Sequence, residues 1–257
     1  MNKTIKNMRI KAKLANSIII LLLAGLIHGC ASKDGGVDAV SNITSAYEEA
    51  KAAVLSGNYR KGIQIFETIQ AQFPFSDLSR KIQLELMYAY YKSGASEQAV
   101  DAADTFVREN PIHPRVDYAL YIKGLAYFED GKGMLERMFK KDTSKRPPKD
   151  LDLAYSSFRR LVDRYPASEY APDAEQRMLY IKNRMSEYEN HVADYYLRRG
   201  AYVAALNRAK AALQEYNGAE GNRQSLRIMA RAYEELGMMD LAADTRRVLE
   251  ANFPGES

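Results

Sequence analysis

From about Ser45 to Pro254 the chain shows no run of strict apolar/polar alternation, and apolar, small and aromatic residues recur instead at spacings of three and four. That period places them on one face of an α-helix and predicts a succession of amphipathic helices rather than strands. The helical segments are punctuated in a fixed order. Gly57, Gly94 and Gly131 are 37 residues apart, and Gly200 and Gly237 are again 37 apart. A small or apolar residue stands five or six places after Gly57, Gly94 and Gly237, and Pro74, Pro111 and Pro254 stand seventeen after the same glycines. Seven residues before the glycines lie Ala50, Met87, Gly124, Ala193 and Ala230, with Tyr90, Tyr127, Tyr196 and Tyr233 one turn later in the last four cases. A small residue lets two helices approach, and a ring one turn on fills the gap beside it. Glycine suits the turn between paired helices and proline ends the second helix. Five units fit this frame.

Such a frame resembles the tetratricopeptide repeat, a helix–turn–helix unit of about 34 residues, and implies an all-α superhelical solenoid. Three departures stand out. The first unit carries Ala53 in place of tyrosine and Gly62 on its second helix, which reads as a degenerate or capping repeat. In the third, a stretch from Lys132 to Lys149 separates Gly131 from a second helix expected over Leu151 to Tyr165, closed by Pro166. The fourth has a long leading helix, expected from about Pro172 to Arg199, and Asn217 where a closing proline stands elsewhere.

The N-terminus is patterned differently. Lys3, Lys6, Arg9, Lys11 and Lys13 precede an uncharged apolar run from Ile18 to Ile27, the layout of an export signal. Ten helical residues rise only about 15 Å, half of a bilayer core, so cleavage is expected rather than a span. The run ends at Leu26-Ile27-His28-Gly29-Cys30 and resembles a bacterial lipoprotein signal, which implies a covalent lipid on Cys30. Ala31 and Ser32 follow where an acidic residue would imply inner-membrane retention, so the resemblance favours the outer membrane, with the folded part on its periplasmic face. The expected organisation is a signal peptide over 1–29, a lipidated cysteine and flexible tether over 30–44, N-terminal repeats over 45–165 with the basic insertion 132–149, and C-terminal repeats over 166–257.

Composition changes this picture in one respect. The 257 residues carry 37 Lys and Arg against 33 Asp and Glu, an apparent charge of +4. Five of those cations lie before Cys30, and removing them leaves 32 against 33, so the basicity belongs to the export signal. What persists is local: seven cations against two acids in 132–149, a solvated loop or a contact for an acidic partner or anionic lipid. One cysteine excludes an intramolecular disulfide, and no metal site or cofactor is expected apart from the lipid. Nucleic acid is excluded as a partner by export. Catalytic chemistry is poorly supplied: beyond Cys30 only His113 and His191 remain, carboxylate pairs such as Glu48-Glu49 read as solvated faces, and no phosphate loop, H-E-x-x-H or G-x-S-x-G motif occurs. No catalytic residue is assigned.

Aromatic residues are densest on the first helices of the second and third units, where Tyr88, Tyr91, Tyr118, Tyr121 and Phe128 could line an apolar groove for a peptide. The first helices of the last two units carry charge instead, including Asp194, Arg198, Arg227, Arg231, Glu234 and Glu235.

The lipoprotein signal, the repeats, Phe73-Pro74-Phe75-Ser76, Asn110-Pro111-Ile112-His113-Pro114 and Tyr195-Tyr196 with Arg199-Gly200-Ala201-Tyr202 together resemble the BamD family of β-barrel assembly lipoproteins. The resemblance implies a non-enzymatic scaffold that promotes folding and insertion of outer-membrane proteins. It implies that the C-terminal repeats hold the POTRA region of BamA, together with BamC and other assembly lipoproteins, and that the N-terminal repeats face unfolded barrel substrates. On that reading Tyr88, Tyr91, Tyr118, Tyr121 and Phe128 contact substrate and Arg198, Arg199, Arg227 and Arg231 dock the partner. The alternative is another periplasmic repeat lipoprotein, a secretin pilotin or cell-wall coordinator.

Overall fold

The computed structural model describes residues 35–130 and 150–255, which contain ten helices and no strand. They are α1 (Gly35–Leu55), α2 (Tyr59–Gln72), α3 (Ser79–Ser93), α4 (Ser96–Glu109), α5 (Val116–Asp130), α6 (Leu151–Arg164), α7 (Ala171–Arg198), α8 (Tyr202–Glu215), α9 (Asn222–Glu235) and α10 (Met239–Asn252). The chain divides into a short unit, Met1–Ala46, and a large one, Tyr47–Ser257. The short unit contributes the beginning of α1. The leader, Cys30 and the basic insertion 132–149 lie outside the described residues. Helix begins at Gly35, so most of the stretch read as a flexible tether is helical. Val37, Val40, Ile43 and Tyr47 already carry the three- and four-residue spacing there, beneath the glycine and serine that suggested a linker.

In the large unit, α2 to α10 each pack on the next helix in the chain, and α5 also reaches α3 and α9 reaches α7. This is the neighbour-only contact pattern of an all-α repeat solenoid. Two kinds of turn build it. Inside a repeat the first helix ends on a left-handed glycine, with φ of 83° at Gly57, 80° at Gly94, 74° at Gly200 and 73° at Gly237. Around each, two backbone bonds close the same cap: Gly94 N–H donates to Tyr91 O and Ala95 N–H to Tyr90 O, with counterparts at 57, 200 and 237. This is the Schellman motif, which satisfies helix-end carbonyls and requires positive φ at one residue.

Between repeats a six-residue linker recurs, over 73–78, 110–115, 165–170 and 216–221. Its first residue, Phe73, Asn110, Tyr165 or Tyr216, donates its N–H back to the helix, and two successive turns follow. The first three precede a proline, which disfavours continuation as helix. Tyr216 takes nearly the same conformation, φ −117° and ψ 43° against −134° and 58° at Tyr165, although Asn217 follows. The five second helices are each fourteen residues long.

The small positions are where helices touch. Ala99, Ala154, Ala205 and Ala242 are fully buried at one register of the second helices, and Gly62 occupies the same register of α2. A Cβ on Gly62 would lie 2.4 Å from Val54 and 3.1 Å from the Ala50 carbonyl. Gly62 therefore marks a close approach of α1 and α2. On α5, Gly124 faces the fully buried Phe158 of α6, so absence of a side chain on one helix makes room for a ring on the other.

The long α7 is shared between two cores. Its first half, Ala171, Ala174, Ile181 and Met185, packs with α3 to α6, and Ala193 packs with α8 to α10. Between them the seam is polar. Asn190 donates to the Gly221 carbonyl at 2.7 Å, and Ser225 donates to Asn190 at 2.8 Å. Asn183 accepts the Glu220 N–H, so the start of α9 is pinned to α7 by side-chain amides.

Candidate functional site

Because successive first helices face the same way, side chains at matching registers on α1, α3, α5 and α7 form one surface. Tyr47 donates to Glu85 at 3.3 Å. Tyr118 sits among Glu85, Tyr88, Arg115 and Tyr170, and burial, then Glu85, pushes its hydroxyl well above the ordinary tyrosine value. Arg115 lies over the Tyr118 ring at 5.0 Å and over Tyr170 at 5.8 Å, and donates to the Tyr170 hydroxyl and to Glu169. Tyr170 stacks on Tyr121, with centroids 4.7 Å apart and planes at 19°. The Tyr121 hydroxyl donates to Asp173 at 2.7 Å, and Arg177 holds the same carboxylate at 2.5 Å. Arg177 in turn lies 5.0 Å over Phe128.

Two electrostatic consequences follow. Burial, and then the bond to Asp173, pushes the Tyr121 hydroxyl up to about 12. Burial by itself would raise the Asp173 carboxyl, but the bonds from Arg177 and Tyr121 bring it below its ordinary range.

The structure thus brings Tyr88, Tyr91, Tyr118 and Tyr121 to one half-buried face against the main core. Phe128, only 4% exposed, is packed between Phe158 and Tyr180 and supports that face from beneath. The expected apolar groove is also more polar than its tyrosines suggested, because Glu85, Asp173, Arg115 and Arg177 engage hydroxyls and rings. Sequence reasoning missed Tyr47, Arg115, Tyr170, Asp173 and Arg177. A signal for two of them was present: Arg115 and Tyr170 occupy the same last place of successive six-residue linkers.

At the other end Arg198, Arg199, Arg227 and Arg231 are all exposed, in two places. Arg198 and Arg199 end α7, with Arg199 stacked 5.3 Å over Tyr195. Arg227 and Arg231 line a groove of about 790 Å³ between α9 and α10, with Glu234, Glu235, Arg246 and Glu250 around an apolar floor of Ala230, Leu249 and Phe253. Glu234 and Arg246 pair across it. The histidines have structural surroundings: His113 Nδ1 accepts the Arg115 N–H at 3.1 Å and its ring meets Phe106 edge-on, and His191 lies half-buried on α7. Glu49, one of the carboxylate pair, bonds Lys61. Among the described residues no three His, Cys, Asp or Glu converge as metal ligands, and no helix is long and apolar enough to cross a membrane.

Comparison with known proteins supplies an independent view. The family model YfiO, described as an outer membrane lipoprotein, matches residues 41–249. The chain is 40% identical to outer membrane protein assembly factor BamD of Neisseria gonorrhoeae over 95% of its own length and 91% of that protein. With the BamD of Vibrio cholerae it shares 36% identity over 90% of this chain and 96% of that one. Among solved structures it aligns with MamA protein at 15% identity and a TM-score of 0.40, covering 84% of this chain and 97% of that one.

Proposed function

The chain belongs to the YfiO outer membrane lipoprotein family, whose relatives are the BamD assembly factors, and from that premise we propose which surface meets which partner. It is an assembly-factor scaffold, not an enzyme. The tyrosine face of the first three repeats receives unfolded segments of β-barrel substrates. The arginine-bearing end, with Arg198, Arg199, Arg227 and Arg231, docks the POTRA region of BamA and neighbouring assembly lipoproteins such as BamC. Cys30 carries a lipid that holds the protein on the periplasmic face of the outer membrane.

The observation that carries this reading is the joining of Tyr88, Tyr91, Tyr118 and Tyr121 into one face with Arg115 and Arg177. Rings with hydroxyls, cations and carboxylates at close intervals suit an extended chain, whose aromatic side chains can stack while its backbone amides and carbonyls find donors and acceptors. The terminal groove has mixed charge around a small apolar floor, which suits a folded, polar partner surface.

The two surfaces separate experimentally. Alanine at Tyr88, Tyr91, Tyr118 and Tyr121 should weaken binding of a C-terminal barrel peptide at least tenfold while leaving POTRA binding within twofold, with circular dichroism confirming the fold. Glutamate at Arg198, Arg199, Arg227 and Arg231 should do the reverse. Unchanged peptide affinity in the tyrosine variant sinks the groove assignment. Cys30→Ala should release the chain from membranes, and an unacylated Cys30 in the membrane-bound wild type would remove the anchor.

A further inference from the structure

Two large apolar side chains stand almost wholly in solvent: Phe75 is 99% exposed and Ile112 is 96% exposed, more than any other large hydrophobic residue described. They hold equivalent places. Phe73-Pro74-Phe75-Ser76 and Asn110-Pro111-Ile112-His113 each form the first turn of a linker, closed by Ser76 N–H to Phe73 O and by His113 N–H to Asn110 O. Phe75 and Ile112 each follow a proline at the second place of the turn, and the two project one repeat apart. The corresponding places in the next two linkers are Ala167 and Gly218. The protrusion is therefore confined to the N-terminal repeats.

All linkers of this kind share one edge of the large unit, because each joins the end of a second helix to the start of a first helix and consecutive helices alternate in direction. The Gly57, Gly94, Gly200 and Gly237 turns share the opposite edge. Arg80 and Lys81 lie exposed in the first turn of α3, without an ion-pair partner among the described residues, and Arg80 lines the same cleft as Phe75. Between the loops is a cleft of about 530 Å³ lined by Phe75, Ser76, Arg80, Gln83, Glu109 and Asn110. Separate apolar tips on one edge, with the exposed cations Arg80 and Lys81 at the start of α3, match the headgroup boundary of a bilayer, where rings and alkyl chains reach the acyl region and charges stay at the phosphates.

We propose that this edge is a second membrane contact: Phe75 and Ile112 insert into the phospholipid leaflet that carries the lipid anchor, with Arg80 and Lys81 at the phosphates. The proposal rests on the anchor reading. A lipid at Cys30 restrains only the N-terminus, whereas an inserted linker edge would set how the first repeats, and with them the tyrosine face, are presented along the membrane.

The chain contains no tryptophan, so single-tryptophan variants report depth without background. Phe75→Trp, Ile112→Trp and, as the matched site in the third linker, Ala167→Trp are made in the lipidated mature chain. Each is placed on vesicles of phosphatidylethanolamine and phosphatidylglycerol. Phe75→Trp and Ile112→Trp should show blue-shifted emission and at least twofold quenching by acyl-brominated lipid, while Ala167→Trp stays as in water. Equal spectra at all three sites overturn the proposal, as does a blue shift at 75 and 112 that needs added BamA and not lipid. Failure of the anchor is read separately, by the absence of acyl mass on Cys30 in intact-mass spectrometry of the membrane-derived protein, and the tryptophan depths then still decide whether this edge meets lipid.

Discussion

At the scale of single residues the molecule is governed by close approaches and by a few shared protons. Gly124 is the sharpest case, since a Cβ there would stand 2.4 Å from the Phe158 ring, which is fully buried and has no direction in which to move. Gly124→Ala should therefore destabilise the protein by about 1–3 kcal/mol, the usual cost of overpacking, and lower the urea midpoint with little change in slope. The Tyr121–Asp173–Arg177 group makes stability depend on pH at both ends. Asp173 has a depressed folded value, so its contribution is complete above the unfolded carboxylate pKa of about 3.9 and is lost as pH falls through the lower folded value. Tyr121 is raised to about 12, so its contribution is complete below the unfolded value of about 10 and is lost as pH rises toward 12. Asp173→Asn should lie below the wild type at pH 7 and converge on it below pH 4. Tyr121→Phe should reduce the alkaline loss between pH 10 and 12. Urea titrations across pH check both, and parallel curves would separate the group from stability.

Among helices and turns, the regularity is stricter than the sequence alone suggests. Fourteen-residue second helices and six-residue linkers persist even where proline is replaced by Asn217. Because Tyr216 already has nearly the conformation of the pre-proline residues, Asn217→Pro should stabilise the chain by about 0.4–1 kcal/mol through a less free unfolded state. A loss of stability would show that the fourth linker differs from the other three beyond its backbone bonds. The glycine turns, proline-ended helices and long α7 were all legible in the sequence, since each depends on contacts within one or two helical turns. The role of Gly62 was not, because it is set by the distance to Val54 and Ala50 on another helix. The helical start at Gly35 was obscured by local composition.

For the large unit as a whole, neighbour-only packing makes stability local. Helix α6 buries Leu151, Ala154, Ser157, Phe158 and Leu161, whereas α10 buries only Ala242 and Thr245. Hydrogen exchange should accordingly be slowest in α5 and α6 and fastest, among the second helices, in α10. Uniform protection would mean that the repeats unfold as one block. The gradient suits the proposed roles, with a firm tyrosine face and a terminal groove free to adjust to a folded partner.

The sequence by itself determined the repeat frame, its five units, the turn residues and the division between an aromatic and a charged end. These follow from hydrogen bonds and packing between residues close in the chain, which leave a period that can be counted. Only the tertiary structure decided how the aromatic end is wired. Tyr170 stacks on Tyr121 from a linker two elements away, Arg115 reaches Glu169 and Tyr170 across the third repeat, and Asn190 pins Gly221. It also moved Phe128 from the surface to the support beneath it. Such pairings join residues distant along the chain, and their partners become known only when the helices have stacked.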